Sequence, residues 1–139
     1  MSNKVTKLKP RAKPAALDTP TDLDDKAVKE ISEALNGILA DSFALYLKTK
    51  NFHWHASGPH FRDYHLLFDE QAADILGATD DMAERVRKIG GTTLRSIGDI
   101  AGRQTIANAA IAAPITSAAA MPAIIGALLI RSVLALRYC

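Results

Sequence analysis

Cysteine is nearly absent from this sequence, and acidic residues are missing from both ends. The single cysteine, Cys139, occupies the last of the 139 positions, so one chain can form neither a disulfide nor a metal site made of cysteines. A reducing compartment is therefore expected. The opening residues, MSNKVTKLKPRAKP, are charged and lack the apolar stretch of a secretory signal, so we expect no export by that route.

Charge is segregated along the chain, although the net charge is only +2. No acidic residue occurs in residues 1–17, which carry the basic residues Lys4, Lys7, Lys9, Arg11 and Lys13. All fifteen acidic residues lie in residues 18–100, against nine basic ones, and residues 104–130 carry no charge. A basic arm of this kind suits a polyanionic partner, and an acidic body suits a cation.

These patterns divide the chain into three parts. Residues 1–19 are rich in Lys, Pro and Ala without periodicity, and they are predicted to be a disordered basic arm. Residues 20–100 are predicted to form a helical hairpin followed by a short helix. Residues 101–139 are an apolar, alanine-rich segment whose structure the sequence leaves open.

Apolar residues recur at three- and four-residue steps in the body, which predicts amphipathic helices and an all-α fold. The first helix is predicted over residues 22–55, with Thr21 as its N-cap and Asp24 as the capping-box partner. The sequence Ser57-Gly58-Pro59 predicts a turn that ends this helix.

The second helix is predicted over residues 60–89, and Gly90 and Gly91 are expected to end it. Its buried faces are predicted to carry Phe61, His65, Phe68, Ala72, Ile75, Leu76, Thr79, Met82 and Val86. Thr92 or Thr93 is the expected N-cap of a third, short helix. That helix is predicted to run through Leu94, Ile97 and Ile100.

Four metal-ligand side chains of the second helix, His65, Asp69, Asp80 and Glu84, share one stripe of its surface. At 100° per residue they fall at about 0°, 40°, 60° and 100° around the axis. The first pair is nevertheless about 22 Å from the second pair along the axis, at 1.5 Å per residue. One helix therefore carries two half-sites that face the same way and cannot close one metal site by themselves.

His53 adds a third ligand to one of these half-sites. It lies shortly before the turn and His65 shortly after it, so the two imidazoles are expected to face each other near the hairpin tip. His53, His65 and Asp69 then form one half-site, and Asp80 and Glu84 form the other. Imidazoles with carboxylates suit iron, manganese or zinc, and the lack of thiolates argues against a structural zinc site.

A second copy of the chain would complete both half-sites. If the copy packs antiparallel on the stripe, with a two-fold axis near Asp74 and Ile75, each half-site meets the complementary half of its neighbour. The sequence therefore predicts two identical metal sites per dimer, each lined by both subunits.

The chain resembles the Dps family, the DNA-protection members of the ferritin-like superfamily. The resemblance runs from about residue 20 to about residue 108. It is carried by His-Trp at position 53, His-x-x-x-Asp at position 65 and Asp-x-x-x-Glu at position 80. The Glu-x-x-His motif of ordinary ferritins does not occur in this chain.

The resemblance implies a ferritin-like four-helix bundle that assembles through two-fold dimers into a hollow dodecamer. It implies oxidation of Fe(II) by hydrogen peroxide, storage of the ferric iron and protection of DNA. The implied iron ligands, which are also the catalytic residues, are His53, His65, Asp69, Asp80 and Glu84, around a di-iron or mono-iron site between subunits. The arm residues Lys4, Lys7, Lys9, Arg11 and Lys13 would bind double-stranded DNA without sequence preference, in the bacterial cytoplasm at the nucleoid.

The end of the chain departs from the family pattern, which continues with two more amphipathic helices rich in charged residues. Here alanine supplies 12 of the last 39 residues and prolines interrupt the segment, as a change of reading frame would produce. The last two helices are thus expected to be missing or replaced. Residues 104–130 are long enough to span a membrane, but their prolines and polar residues argue against insertion.

Two other functions stay open on the sequence. The protein could be a non-enzymatic nucleoid protein that binds DNA through its basic arm. It could also be an inactive product, because loss of two helices would expose the apolar faces of the others.

Overall fold

The computed structural model describes residues 19–106, and within that range the chain is helical. Three helices follow one another: α1 (Asp25–His55), α2 (Phe61–Lys88) and α3 (Ile97–Arg103). This confirms the expected all-α class, with two long helices, a short connecting loop and a short third helix. The five basic arm residues and most of the alanine-rich segment lie outside the described residues.

The start of α1 is set by a carboxylate. Asp24 is the N-cap, and its Oδ1 accepts a hydrogen bond from the Ala27 N–H at 2.7 Å. Thr21 accepts instead from the Leu23 N–H at 3.2 Å, ahead of the helix. The prediction of Thr21 as N-cap is therefore wrong, because a stronger cap stands closer to the first apolar residues of the stripe.

Glycine ends α2 in the way that the sequence predicts. Gly90 has φ of 89°, in the left-handed region that side chains other than glycine rarely adopt. The Gly90 N–H donates to the Arg87 carbonyl at 3.0 Å, and the Gly91 N–H donates to the Val86 carbonyl at 2.9 Å. These two bonds form a Schellman motif, which satisfies carbonyls that the helix end leaves free.

The cap of α3 differs from the prediction. Ser96 Oγ accepts from the Asp99 N–H at 3.1 Å. Asp99 Oδ2 accepts from the Arg95 N–H at 2.8 Å, one residue before the N-cap, so the arrangement resembles a capping box. Neither Thr92 nor Thr93 is the cap. The Thr92 carbonyl accepts a hydrogen bond from Asn36 Nδ2 of α1 at 2.8 Å, so the chain after Gly91 first runs against α1.

The two long helices pack along a seam with a seven-residue repeat, which is typical of antiparallel pairs with coiled-coil-like packing. At the hairpin end of the seam the Phe52 and Phe68 rings stack with their centroids 5.7 Å apart. Seam residues of α1 are Leu35, Ser42, Leu45, Thr49 and Phe52, and those of α2 are Phe68, Ala72, Thr79, Met82 and Val86; all are buried.

Two small hydroxyl residues in this seam, Ser42 and Thr79, form hydrogen bonds within their own helices. Ser42 Oγ donates to the Ile38 carbonyl at 2.9 Å, and Thr79 Oγ1 donates to the Leu76 carbonyl at 2.6 Å. Their burial therefore leaves no donor without a partner, and their small volume allows the helices to approach closely.

The short helix lies against α1. Asp41 of α1 accepts two hydrogen bonds from Thr105, one from its N–H at 2.5 Å and one from its Oγ1 at 2.9 Å. Ala40, beside Asp41, is completely buried. These bonds hold the chain after α3 at the middle of α1. None of the helices between residues 19 and 106 is long and apolar enough to cross a membrane.

Two residues predicted to be buried are exposed. Phe61 retains 44% of its accessible surface and Leu76 retains 41%. Leu76 lies only about 20° around the helix from His65, at 100° per residue, so it belongs to the stripe of predicted ligands and not to the seam.

The turn after α2 allows a test of the packing between its end and α1. A Cβ added to Gly91 would overlap Ser32 Oγ and lie 3.0 Å from the Val86 Cγ1 atom. Gly91→Ala should therefore lower the free energy of unfolding by about 1–3 kcal/mol, measured by urea unfolding followed by circular dichroism. Adding Ser32→Ala should restore part of the loss, because the displaced Ser32 Oγ has no hydrogen-bond partner.

Gly37→Ala is the matched control, since no atom lies within 4 Å of an added Cβ there. This substitution inside α1 should raise stability by up to about 1 kcal/mol through helix propensity. Equal effects of the two glycine substitutions would contradict the described packing of Gly91.

Candidate metal centre

The structure brings His53 and His65 into direct contact across the hairpin tip. Their rings stack with centroids 3.6 Å apart and an angle of 24° between the planes. His53 Nδ1 donates to the His65 carbonyl at 2.8 Å, and His65 Nδ1 donates to the His53 carbonyl at 3.1 Å. Each imidazole is thus held by the backbone of the other helix.

These reciprocal bonds determine where the protons of the two rings lie. A carbonyl oxygen only accepts hydrogen bonds, so each Nδ1 must carry a hydrogen. In the neutral ring Nε2 is then the atom with the lone pair, as a metal ligand requires. Anchoring of the second ring nitrogen to a carbonyl is a common way in which proteins orient metal-ligating histidines.

Asp69 lies one turn beyond His65, but its carboxylate is paired with a lysine. Lys50 Nζ lies 2.6 Å from Asp69 Oδ1. This hydrogen bond and the positive charge of Lys50 lower the pKa of Asp69 below its ordinary value, so the carboxylate keeps its charge to a lower pH. Sequence reasoning missed Lys50, although its position one turn before His53 places it on the same side of α1.

Asp80 and Glu84 lie on the exposed surface further along α2. Glu84 Oε2 accepts from Lys88 Nζ at 2.8 Å, and this bond and the charge of Lys88 lower the pKa of Glu84. The same contact raises the pKa of Lys88. Both predicted half-sites therefore hold an ionised carboxylate beside a lysine, and both carboxylates are open to solvent.

An apolar, low-relief patch separates the two half-sites on the stripe. We call the exposed residues Ala73, Leu76 and Gly77 the stripe patch. A Cβ added to Gly77 would meet no atom within 4 Å, which shows that this surface is not covered by other described residues.

The described residues of one chain do not gather the predicted ligands into one site. Among residues 19–106 no three His, Cys, Asp or Glu side chains lie close enough together to hold a metal ion. His53 and His65 are joined, Asp69 is turned to Lys50, and the Asp80–Glu84 pair is separate. The predicted DNA-binding residues Lys4, Lys7, Lys9, Arg11 and Lys13 lie outside the described residues.

The two other histidines have local partners near the same loop. His55 Nδ1 donates to the Asn51 carbonyl of its own helix at 2.8 Å. The His60 ring contacts the edge of Tyr64, with centroids 6.1 Å apart. Both side chains lie on the exposed surface, and His60 provides a control for the stacked pair.

Comparison with known proteins places the chain in a family. The model of the ferritin-like domain family matches residues 32–123. The "DNA protection during starvation protein 1" of Deinococcus radiodurans is 39% identical over 84 residues, which cover 60% of this chain and 41% of that protein. The chain belongs to the ferritin-like family and, within it, to the Dps type.

Solved structures agree with this assignment. A Dps homologue from the archaeon Halobacterium salinarum superposes with a TM-score of 0.73 at 25% identity, covering 94% of this chain and 72% of that one. Dps from Mycobacterium smegmatis superposes with a TM-score of 0.72 at 25% identity, covering 86% of this chain and 76% of that one.

The matches also show how far the likeness extends. The chain spans about two fifths of the length of the Deinococcus relative, 41%. The family model extends to residue 123, past Asn108, where the sequence resemblance was expected to fade. The sequence match to the family therefore continues about 15 residues beyond that point.

The hydrogen bonds at the hairpin tip predict specific ring tautomers. In the metal-free protein at alkaline pH, nitrogen NMR shifts of His53 and His65 should show the hydrogen on Nδ1, against the Nε2–H form that free imidazole side chains prefer. His60, whose described contact is a ring contact, is the internal control. An Nε2–H tautomer at both His53 and His65 would contradict the reciprocal bonding.

Proposed function

We propose that the protein is a ferroxidase and iron-storage protein whose metal sites form between two copies of the chain. The observation that carries this proposal is the stacked histidine pair, in which both rings are anchored through Nδ1 and keep Nε2 for a metal. Membership of the ferritin-like family supports it. The name of the Deinococcus relative, a DNA protection protein, bears on the DNA protection proposed below.

The donor set fits iron as the substrate. Imidazole nitrogens with carboxylate oxygens suit Fe(II). Both candidate carboxylates beside lysines are ionised at neutral pH, and the lysines lower their pKa values further. His53, His65 and Asp69 would bind the ion most strongly, while Asp80 and Glu84 of the partner would complete a weaker position or a bridge. Two Fe(II) ions would each give one electron to hydrogen peroxide, which takes two protons and leaves as water.

Pairing of two chains is needed because one chain has only half-sites. Antiparallel packing of two α2 helices about an axis near Asp74 and Ile75 would place each stripe patch on the other. Leu76 would then lose its 41% exposure, and the small neighbours Ala73 and Gly77 would allow close approach. The same packing would bring Asp80 and Glu84 to the histidine pair of the mate. Further assembly into a dodecamer follows the family pattern.

Complementation between two inactive variants tests the shared site. His65→Ala with Asp69→Ala destroys one half-site, and Asp80→Ala with Glu84→Ala destroys the other. Each variant alone should oxidise Fe(II) with peroxide no faster than the uncatalysed rate, followed by ultraviolet absorbance. Co-refolded in equal amounts, they should regain about a quarter of the wild-type rate, because half the dimers are mixed and each mixed dimer has one intact site.

The control variant changes one histidine and one aspartate that lie outside the stripe. His60→Ala with Asp63→Ala should retain the wild-type rate, since both residues lie at the exposed start of α2. Absence of any recovery after mixing, with both variants folded, would contradict a site shared between chains. A wild-type rate in the His65→Ala, Asp69→Ala variant would refute the ferroxidase proposal itself.

DNA protection is the second part of the proposal. Five basic residues without a single acid in residues 1–17 would bind the phosphate backbone without sequence preference. One arm binds weakly, but many arms on one assembly strengthen the attachment. This would place the protein at the nucleoid in the bacterial cytoplasm.

Removal of the arm tests the DNA-binding proposal separately from the iron chemistry. Deletion of residues 1–13 should abolish retardation of double-stranded DNA at low salt while Fe(II) oxidation continues. Retardation by the full chain should weaken steeply as salt rises. Unchanged retardation by the shortened chain would assign the DNA contact to another surface.

A further inference from the structure

Lys50 introduces a positive charge into the proposed half-site at the hairpin tip. On α1 it lies one turn before His53, and on α2 Asp69 lies one turn after His65, so the four side chains form two pairs across the helices. The first pair is the two stacked imidazoles, 3.6 Å between centroids. The second pair is Lys50 Nζ and Asp69 Oδ1, 2.6 Å apart. Three of the four side chains are metal-ligand types, and the fourth is a cation.

In the ion pair between Lys50 and Asp69, the lysine side chain is more deeply buried than the aspartate side chain. Only 18% of the Lys50 side chain is exposed, against 56% of the Asp69 side chain. The stem of Lys50 is therefore packed, and its ammonium group is presented to the half-site from α1. A metal ion can reach Asp69 from solvent, but it meets a carboxylate that already has a cation.

We propose that Lys50 is a selectivity residue, which competes with metal ions for Asp69 and so discriminates against ions that depend on carboxylate oxygen. This inference rests on the proposed function, because it assumes a metal at the half-site. Two cations cannot share one side of the carboxylate without strong repulsion. An ion that takes Asp69 must therefore displace the ammonium group.

The cost of this displacement differs between classes of metal ion. Borderline ions such as Fe(II) and Co(II) bind imidazole well and keep two nitrogen ligands even while Asp69 is paired. Hard ions such as Mg²⁺ prefer oxygen and gain little from imidazole. Lys50 thus lowers the affinity for both classes but excludes the hard ions, which leaves the half-site open to iron when Mg²⁺ is in large excess.

Competition between Co²⁺ and Mg²⁺ on the full-length protein tests this role without any turnover. Co²⁺ binding is followed by its visible absorption, in the absence and presence of millimolar Mg²⁺. Lys50→Met keeps the length of the packed stem and removes the charge. Its affinity for Co²⁺ should rise by up to about fivefold, the range expected when a partly exposed ion pair no longer opposes binding.

The decisive difference is the response to Mg²⁺. The affinity of the wild type for Co²⁺ should not change in millimolar Mg²⁺. The affinity of Lys50→Met for Co²⁺ should fall at least severalfold in Mg²⁺, because Asp69 of this variant is free to bind the hard ion. Lys50→Gln should behave like Lys50→Met, and Lys50→Arg, which keeps the charge, should behave like the wild type. Circular dichroism of each variant verifies that it is folded.

Lys26→Met is the matched control on the same helix. Lys26 forms an exposed surface pair with Glu30 at 3.9 Å, far in sequence from the half-site, and its loss should change neither measurement. If the wild type binds Co²⁺ but the neutral Lys50 variants bind it no more tightly and stay insensitive to Mg²⁺, the selectivity role is overturned while the metal site stands. If the wild type binds no Co²⁺ at all, the proposed metal site fails and this inference with it.

Discussion

The two imidazole–carbonyl hydrogen bonds at the hairpin tip are the contacts on which the alignment of the long helices depends. His53 is bound to the backbone of α2 and His65 to the backbone of α1, so the pair fixes both the height and the rotation of one helix on the other. The same alignment stacks Phe52 on Phe68. One alignment of the two helices therefore determines both the packing of the hairpin and the geometry of the candidate metal site. A substitution of either histidine is expected to affect both.

Much of this hairpin could be predicted from the sequence because its signals are local. The three- and four-residue spacing of apolar side chains predicted both long helices, and the glycine turns predicted their ends. The caps were harder, since Thr21 and Asp24 compete within four residues and only the side-chain geometry decides between them. The start of α3 has a local signal, Ser96 three residues before Asp99, but Thr92 and Thr93 were the expected caps. The bond between Asn36 and Thr92 joins residues far apart in sequence, so no local pattern indicates that the chain first runs against α1.

The candidate site was predictable in its residues but not in their pairing. Helical geometry placed His65, Asp69, Asp80 and Glu84 on one stripe, and the loop length placed His53 opposite His65. Periodicity does not distinguish a seam residue from a residue at its edge, which is why Leu76 was wrongly expected to be buried. The ion pair between Lys50 and Asp69 joins two helices, so it can be recognised only when both helices are placed in the structure.

Both half-sites take carboxylate ligands from α2, a single unbroken helix over Phe61–Lys88, and only His53 comes from α1. The spacing between the two half-sites is therefore measured along one helix. Within a dimer, the separation of the two iron positions would be set by the constant rise of the peptide backbone and not by flexible loops. Variation in the length of the chain before or after α2 would leave that separation unchanged. A single residue inserted between Asp69 and Asp80, in contrast, would turn one half-site by about 100° away from the other, so evolution can vary the ends of this protein far more freely than the middle of α2.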